Sequence, residues 1–126
     1  MRIFATKSFV SRRDRLDDAT LRWAIREIEA GLVDANLGGE LVKKRIPGKG
    51  KGKRGGYRTI VAVRDGERAF FLYSFAKSAR GNIQARELAA LKHLASALMS
   101  YTDSDLDHAV ATGALTEVQS DDERTQ

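Results

Sequence analysis

"GYRTIVAVRDGERAFFLYSFA", residues 56–76, places two runs rich in β-branched and aromatic residues on either side of Asp65–Gly66. Runs of this kind around an Asp-Gly pair favour a β-hairpin closed by a two-residue type I′ turn. With that turn Arg64 faces Glu67, and the register continues back to Arg58 opposite Tyr73. Side chains alternate across a strand. Arg58, Tyr73, Phe75 and Lys77 then share one face, with Arg54 beside them unless Gly55–Gly56 introduce a bulge.

Elements follow on both sides of the hairpin. Upstream, "RIFAT" (2–6) reads as a short strand and "SFVSRRDRL" (8–16) as a short first helix. "DDATLRWAIREIEAGL" (17–32) sets Leu21, Ala24, Ile25, Ile28 and Leu32 at helical spacing. Asp17 or Asp18 can cap its start and Gly31 its end. "ELVKKRI" (40–46) is a strand that Pro47 stops. Downstream, "NIQARELAALKHLASALMSY" (82–101) aligns Leu88, Leu91, Leu94, Ala95 and Leu98 on one helical face. "DSDLDHAVATG" (103–113) forms a last short helix, capped by Thr102 or Asp103 and ended by Gly113. "ALTEV" (114–118) adds an edge strand. The order is strand, two helices, three strands, helix and a small appendix. It predicts an α+β domain: a small antiparallel sheet with helices packed mainly on one face.

At 126 residues, with 42% hydrophobic and 31% charged residues, the chain suits one soluble domain. Residues 1–118 read as that domain, with an acidic appendix from about residue 101, and 119–126 as a disordered acidic tail. No apolar run approaches the ~20 residues of a membrane span, and "MRIFATKSFVSRRD" (1–14) lacks a signal-peptide apolar region. A cytoplasmic protein without a membrane partner is the expectation. With no cysteine and two histidines, His93 and His108, neither disulfides nor a metal site are expected. His93 falls off the apolar helix face and His108 lies in the acidic appendix, so both read as surface residues.

The charge is divided unevenly. Residues 43–80 hold twelve Lys or Arg against Asp65 and Glu67, a net of +10. Residues 101–126 hold seven acids against Arg124, a net of −6. The basic middle points to a polyanionic partner, where the plainer alternative is a solvated face. Its densest part is "GKGKGKRGGYR" (48–58). Gly50, Gly52 and Gly55 satisfy G-x-G-x-x-G, but a strand follows rather than a helix, so the dinucleotide fingerprint does not apply. Glycines let backbone approach a ligand closely, and Lys49, Lys51, Lys53 and Arg54 can follow a phosphate chain without reading bases. Tyr57 and Tyr73 can stack on an unpaired base or serve simply as packed strand residues.

The cations gathered at the end of the hairpin farthest from its turn, with Arg80 following in "KSARGN" (77–82), suit RNA chemistry. RNA carries its own 2′-OH nucleophile. A protein needs to align it, stabilise the developing charge on phosphorus and move protons. A lysine among other cations can accept a proton. The candidate catalytic residues are Arg58, Lys77, Tyr73 and Arg80; the candidate RNA contacts are Lys49, Lys51, Lys53, Arg54 and Tyr57. A carboxylate partner holding the sheet edge is the competing role for Arg58. A non-catalytic RNA- or ribosome-binding module and a domain that docks an acidic protein remain alternatives.

"KGKGKRGGYRTIV" (49–61), "FFLYSFAKS" (70–78) and "ELAALKHLASAL" (87–98) resemble, in order and spacing over roughly residues 15–100, the RelE/HigB toxins of bacterial type II toxin–antitoxin systems. The HigB-like branch is the nearest, through a Gly-Gly-aromatic-Arg lead into one strand and a Phe-Ala-Lys end of the next. The resemblance implies a microbial RNase-like fold and a ribosome-dependent endoribonuclease (an mRNA interferase) that cuts mRNA in the ribosomal A site. It implies a cognate antitoxin, often of helix-turn-helix type, and no cofactor or metal. By position it gives Arg58 the role of the strand arginine on the scissile phosphate, Lys77 that of the basic residue ending the next strand, and Lys49, Lys51 and Lys53 that of the basic loop. Unlike compact relatives with a functional residue soon after the last strand, "SARGNIQARE" (78–87) offers Arg80 and no aromatic, and the acidic appendix is extra.

Overall fold

The computed structural model describes residues 1–12, 16–47, 56–76 and 83–119. The hairpin is there as strands β4 (Tyr57–Arg64) and β5 (Arg68–Ala76). Its turn differs from the expected one. Glu67 N donates to Arg64 O at 2.9 Å, and Gly66 has φ +77°. Asp65 is not left-handed: Glu40 is the one non-glycine with positive φ among the described residues. A type I′ turn needs positive φ at both central positions, whereas a left-handed second position alone is the sign pattern of a type II turn. Arg64 therefore pairs with Arg68, one residue beyond the expected partner.

Among the described residues the sheet has six strands in the order β2-β3-β4-β5-β1-β6. β1 (Arg2–Thr6) lies parallel to β5, and the other pairings are antiparallel. The α+β class with a mostly antiparallel sheet holds. β2 (Ala35–Gly38) is an addition to the expected elements. Its sequence ANLG has little strand propensity, and it is held as an edge by pairing with β3 (Leu41–Ile46), by Asp34 N on Lys43 O at 2.8 Å and by Gly38 N on Asn36 Oδ1 at 3.0 Å.

The helices divide between the two faces instead of gathering mainly on one. α1 (Lys7–Arg12) and α2 (Asp18–Glu29) cover a core of Ala5, Phe9, Leu21, Ile25, Val61 and Phe71. α3 (Ala85–Met99) and α4 (Asp103–Thr112) cover Phe4, Leu41, Ile60, Phe70, Leu98 and Leu106 on the other side. The reason lies in the central strands. Thr59, Ile60, Val61 and Ala62 are all buried, as are Ala69 through Leu72. A strand buried on successive residues needs cover on both faces.

Helix boundaries follow their caps. Asp17 starts α2, with its Oδ1 accepting from Thr20 N at 2.9 Å. Leu32 lies past the helix end and is 54% exposed, so it leaves the expected apolar stripe. On α3 the buried line runs through Ala95, Leu98 and Met99 with Leu88 and Leu91 half-buried. Leu94 stands roughly 90° from the centre of that line at ~100° per residue and is exposed, contrary to its expected place on the apolar face.

The acidic appendix packs on the body. α4 runs from a capping box of Thr102 and Asp105 to Gly113 at φ +86°. β6 (Leu115–Glu117) pairs with β1. Arg2 gathers the appendix acids: its guanidinium donates to Glu117 at 2.9 Å and Asp107 at 2.8 Å and lies 3.6 Å from Asp103. Those bonds hold it above the ordinary arginine range. Arg68 donates to Tyr101 O at 2.6 Å. Residues 120–126, most of the expected tail, lie outside the described residues.

Asp105 yields a pH prediction. Its carboxylate is held below the usual range, first by the Thr102 backbone N–H and then by the Thr102 hydroxyl, with His108 adding to the effect. A depressed carboxylate stabilises the fold above its unfolded pKa, and that contribution is lost as pH falls through the folded value. Amide exchange protection in the first turn of α4 should therefore weaken on acidification below the ordinary carboxylate range. Asp105→Asn should show less of that dependence; an unchanged acid response would contradict the assignment.

Candidate nucleic-acid interface

Three strands present one mixed cationic and aromatic surface at the end of the sheet opposite the β4–β5 turn. Arg45 on β3 pairs with Arg58 on β4, which pairs with Phe75 on β5. In the next row Lys43, Ile60 and Tyr73 are partners in the same way. Cross-strand partners point to the same face of a sheet, so the six share the face covered by α3. Ile60 and Phe75 are buried there, and Tyr73 packs against the same core, as do Ile83, Leu88 and Leu91. The Tyr73 and Phe75 rings lie 6.1 Å apart at 41°. Thus Arg58, Tyr73 and Phe75 do share a face, although Arg58 stands opposite Phe75 and not Tyr73.

Arg58 is half-buried on a central strand. Among the described residues no carboxylate pairs with it. Its neighbour Arg45 is 58% exposed and lies 3.7 Å from Asp34. Two arginines directly opposite on adjacent strands repel, an arrangement that an anion between them would relieve. Lys43 and Arg45 lie on this candidate surface without having been expected there from sequence. The available signal was the alternation Leu41, Lys43, Arg45 in a strand that must pair with β4.

Alternation also removes residues. Tyr57 packs on the opposite face against the core under α1 and α2, so it does not join Arg58 and Tyr73. Lys44 turns the same way. It is 7% exposed, with Nζ 3.1 Å from Glu27 Oε1, 2.8 Å from Leu32 O and 5.3 Å from the Trp23 ring centre. It is a fastener between α2 and β3. His93 and His108 are exposed on α3 and α4.

Lys49, Lys51, Lys53, Arg54, Lys77 and Arg80 lie outside the described residues, as do Gly50, Gly52 and Gly55 of the glycine pattern. The chain that carries the first set joins Ile46 to Tyr57, and the second set follows Ala76, the partner of Tyr57. Both segments meet the sheet at the Arg58 end. β4, not a helix, follows the glycines, which rules against the dinucleotide reading.

Two cavities lined by described residues lie away from this surface. One, of about 620 Å³, is bordered by Arg2, Arg22, Gly66 and Glu67 at the turn end. The other, of about 640 Å³, lies beside Tyr101, Ser104 and His108. A strip whose accessible members are Arg45, exposed, and Lys43, Arg58 and Tyr73, half-buried, suits an extended polyanion.

Residues 1–118 match a family model described as the RelE toxin of the RelE / RelB toxin–antitoxin system. No curated protein matches the sequence. Among the described residues no helix is long and apolar enough to cross a membrane.

Proposed function

The chain belongs to the RelE toxin family, the toxin side of a toxin–antitoxin pair, and from that premise we propose that it is a HigB-like, ribosome-dependent endoribonuclease that cuts mRNA in the cytoplasm. The observation that carries this reading is Arg58: an arginine on a central strand, without a carboxylate partner among the described residues, facing Arg45 and two aromatic rings. Its planar fork grips two phosphate oxygens at once. In the proposed reaction the 2′-oxygen attacks phosphorus as its proton leaves. The P–O5′ bond breaks, and a proton returns to the 5′-oxygen. The products are a 2′,3′-cyclic phosphate and a 5′-hydroxyl. Arg58 stabilises the extra charge on phosphorus, with Arg80 as a second cation. Lys77 takes the 2′-OH proton. Tyr73 stacks on a base next to the cut.

Lys49, Lys51, Lys53 and Arg54 track the flanking phosphates. Replacing the three lysines with alanine should weaken ribosome or RNA binding and flatten its salt dependence, by up to about 0.7–0.9 in log–log slope for each phosphate left without its lysine. Stability should change by no more than roughly 0.5 kcal/mol. An unchanged slope would remove the phosphate-tracking role.

The cognate antitoxin is proposed to be of helix-turn-helix type, with an acidic or amphipathic segment that covers the cationic strip. Induced expression tests the whole reading. Growth arrest relieved by co-expression of a neighbouring antitoxin gene, with whose product the protein co-purifies, is expected. Normal growth with intact RNA binding would instead favour a passive RNA-binding module.

A further inference from the structure

β5 carries one residue more than β4 can pair. Val61 faces Phe71 and Ile60 faces Tyr73, which leaves Leu72 between them. Leu72 is buried in the same core as Phe70 and Ile60, and Tyr73 packs against that core too. Two successive side chains on one face mark a β-bulge. Without the extra residue Tyr73 would face Thr59 and Phe75 would face Tyr57, on the side covered by α1 and α2. The bulge is what brings both rings beside Arg58.

The bulge is held from outside the hairpin. The parallel ladder of β1 on β5 ends at Ala5 and Phe71. One step on, the Thr6 hydroxyl donates to Leu72 O at 3.1 Å and accepts from Phe9 N at 3.2 Å. Thr6 is 8% exposed and stands immediately before α1. One hydroxyl thereby caps the helix, at its third N–H, and fixes the bulged carbonyl. Thr6 lies outside the cationic strip and is joined to it by the bond to Leu72 O.

We propose that Thr6 is a positioning residue for the RNA strip, holding the Leu72 bulge that turns Tyr73 and Phe75 onto the face of Arg58. The effect on catalysis rests on the function proposed above; the effect on ring placement does not. Thr6→Val keeps the shape and removes both hydrogen bonds, while Thr6→Ser keeps the hydroxyl. Two readouts separate the claims. The first is the nuclear Overhauser effect between the Tyr73 ring and the Ile60 methyls, which needs no activity. The second is single-turnover mRNA cleavage at saturating programmed ribosomes.

Thr6→Val is expected to weaken or abolish the Tyr73–Ile60 Overhauser effect and to slow cleavage by between about ten- and a hundredfold at saturation, as misplacement of a substrate-touching group does. Thr6→Ser should restore both. If Thr6→Val does not fold, Thr6→Cys, with its weak S–H donor, should fall between wild type and full loss in both readouts. A folded variant without the hydroxyl that keeps the ring placement, or keeps the wild-type rate, overturns the proposal even if its melting temperature falls. A wild-type protein that cuts no mRNA overturns the nuclease reading, and the ring placement alone then decides the role of Thr6.

Discussion

Arg58→Ala is expected to slow single-turnover cleavage of ribosome-bound mRNA on the order of a hundred- to a thousandfold, the loss typical of one preorganised donor to a developing oxyanion. The fold should survive, because Arg58 makes no ion pair among the described residues and its neighbours Thr59 and Ile60 carry the local packing. Relief of the cross-strand repulsion from Arg45 can even offset part of the missing side-chain packing. Arg58→Lys should recover a minor part of the rate, since a point charge replaces a two-pronged grip. Thermal melting beside the kinetics decides the matter. Wild-type cleavage by Arg58→Ala would remove Arg58 from catalysis, as would a loss that tracks unfolding.

Lys44→Ala should do the reverse, destabilising the protein by about 2–4 kcal/mol while leaving ribosome binding per folded molecule unchanged. The Lys44 side chain is 8% exposed and joins Glu27 and the Trp23 ring of α2, and Leu32 O just past it, to β3. Removing one member of a buried ion pair typically costs about 3–5 kcal/mol because the other charge is stranded. The lower figure allows for Glu27, which remains 30% exposed and partly solvated. Lys44→Met, which keeps the apolar stem, should lose less than Lys44→Ala. Chemical denaturation that places Lys44→Ala within about 0.5 kcal/mol of wild type, the range of ordinary surface changes, would contradict this role.

Lys44 and Arg45 show where sequence stops being informative. Both sit in one basic run, yet one is a buried fastener and the other an exposed cation opposite Arg58. Alternation separates them once the inward face is known, and that depends on helices covering both sides of the sheet. Local chemistry was legible: the Asp-Gly hairpin, the Asp17 cap, the Thr102 and Gly113 ends of α4 and the β6 edge strand all follow from short-range residue preferences. Long-range pairing was not. Nothing in RIFAT announces a parallel partner, and ANLG carries no strand signal.

The register of the hairpin is the sharpest case. The type I′ expectation places Arg58 opposite Tyr73, while the structure places it opposite Phe75. The turn contributes one residue of the difference and the Leu72 bulge the second. Each single slip reverses the face of every side chain beyond it. Two slips restore it, so Arg58, Tyr73 and Phe75 share a face for a reason that the alternation alone does not contain. The turn choice depends on the backbone at Asp65, and the bulge on a hydroxyl sixty-six positions away, at Thr6. Tyr57 illustrates the same rule from the other side: one step from Arg58 in sequence, it belongs to the opposite core.

Primer extension on mRNA incubated with the purified protein, with and without programmed ribosomes, decides whether the protein cuts the message and whether it needs the ribosome to do so. The expected result is a cut at the codon in the ribosomal A site, a 5′-hydroxyl on the downstream fragment and no comparable cut in free mRNA. Equal cleavage of free mRNA would contradict dependence on the ribosome, and salt-sensitive ribosome binding with the message left intact would contradict the nuclease itself.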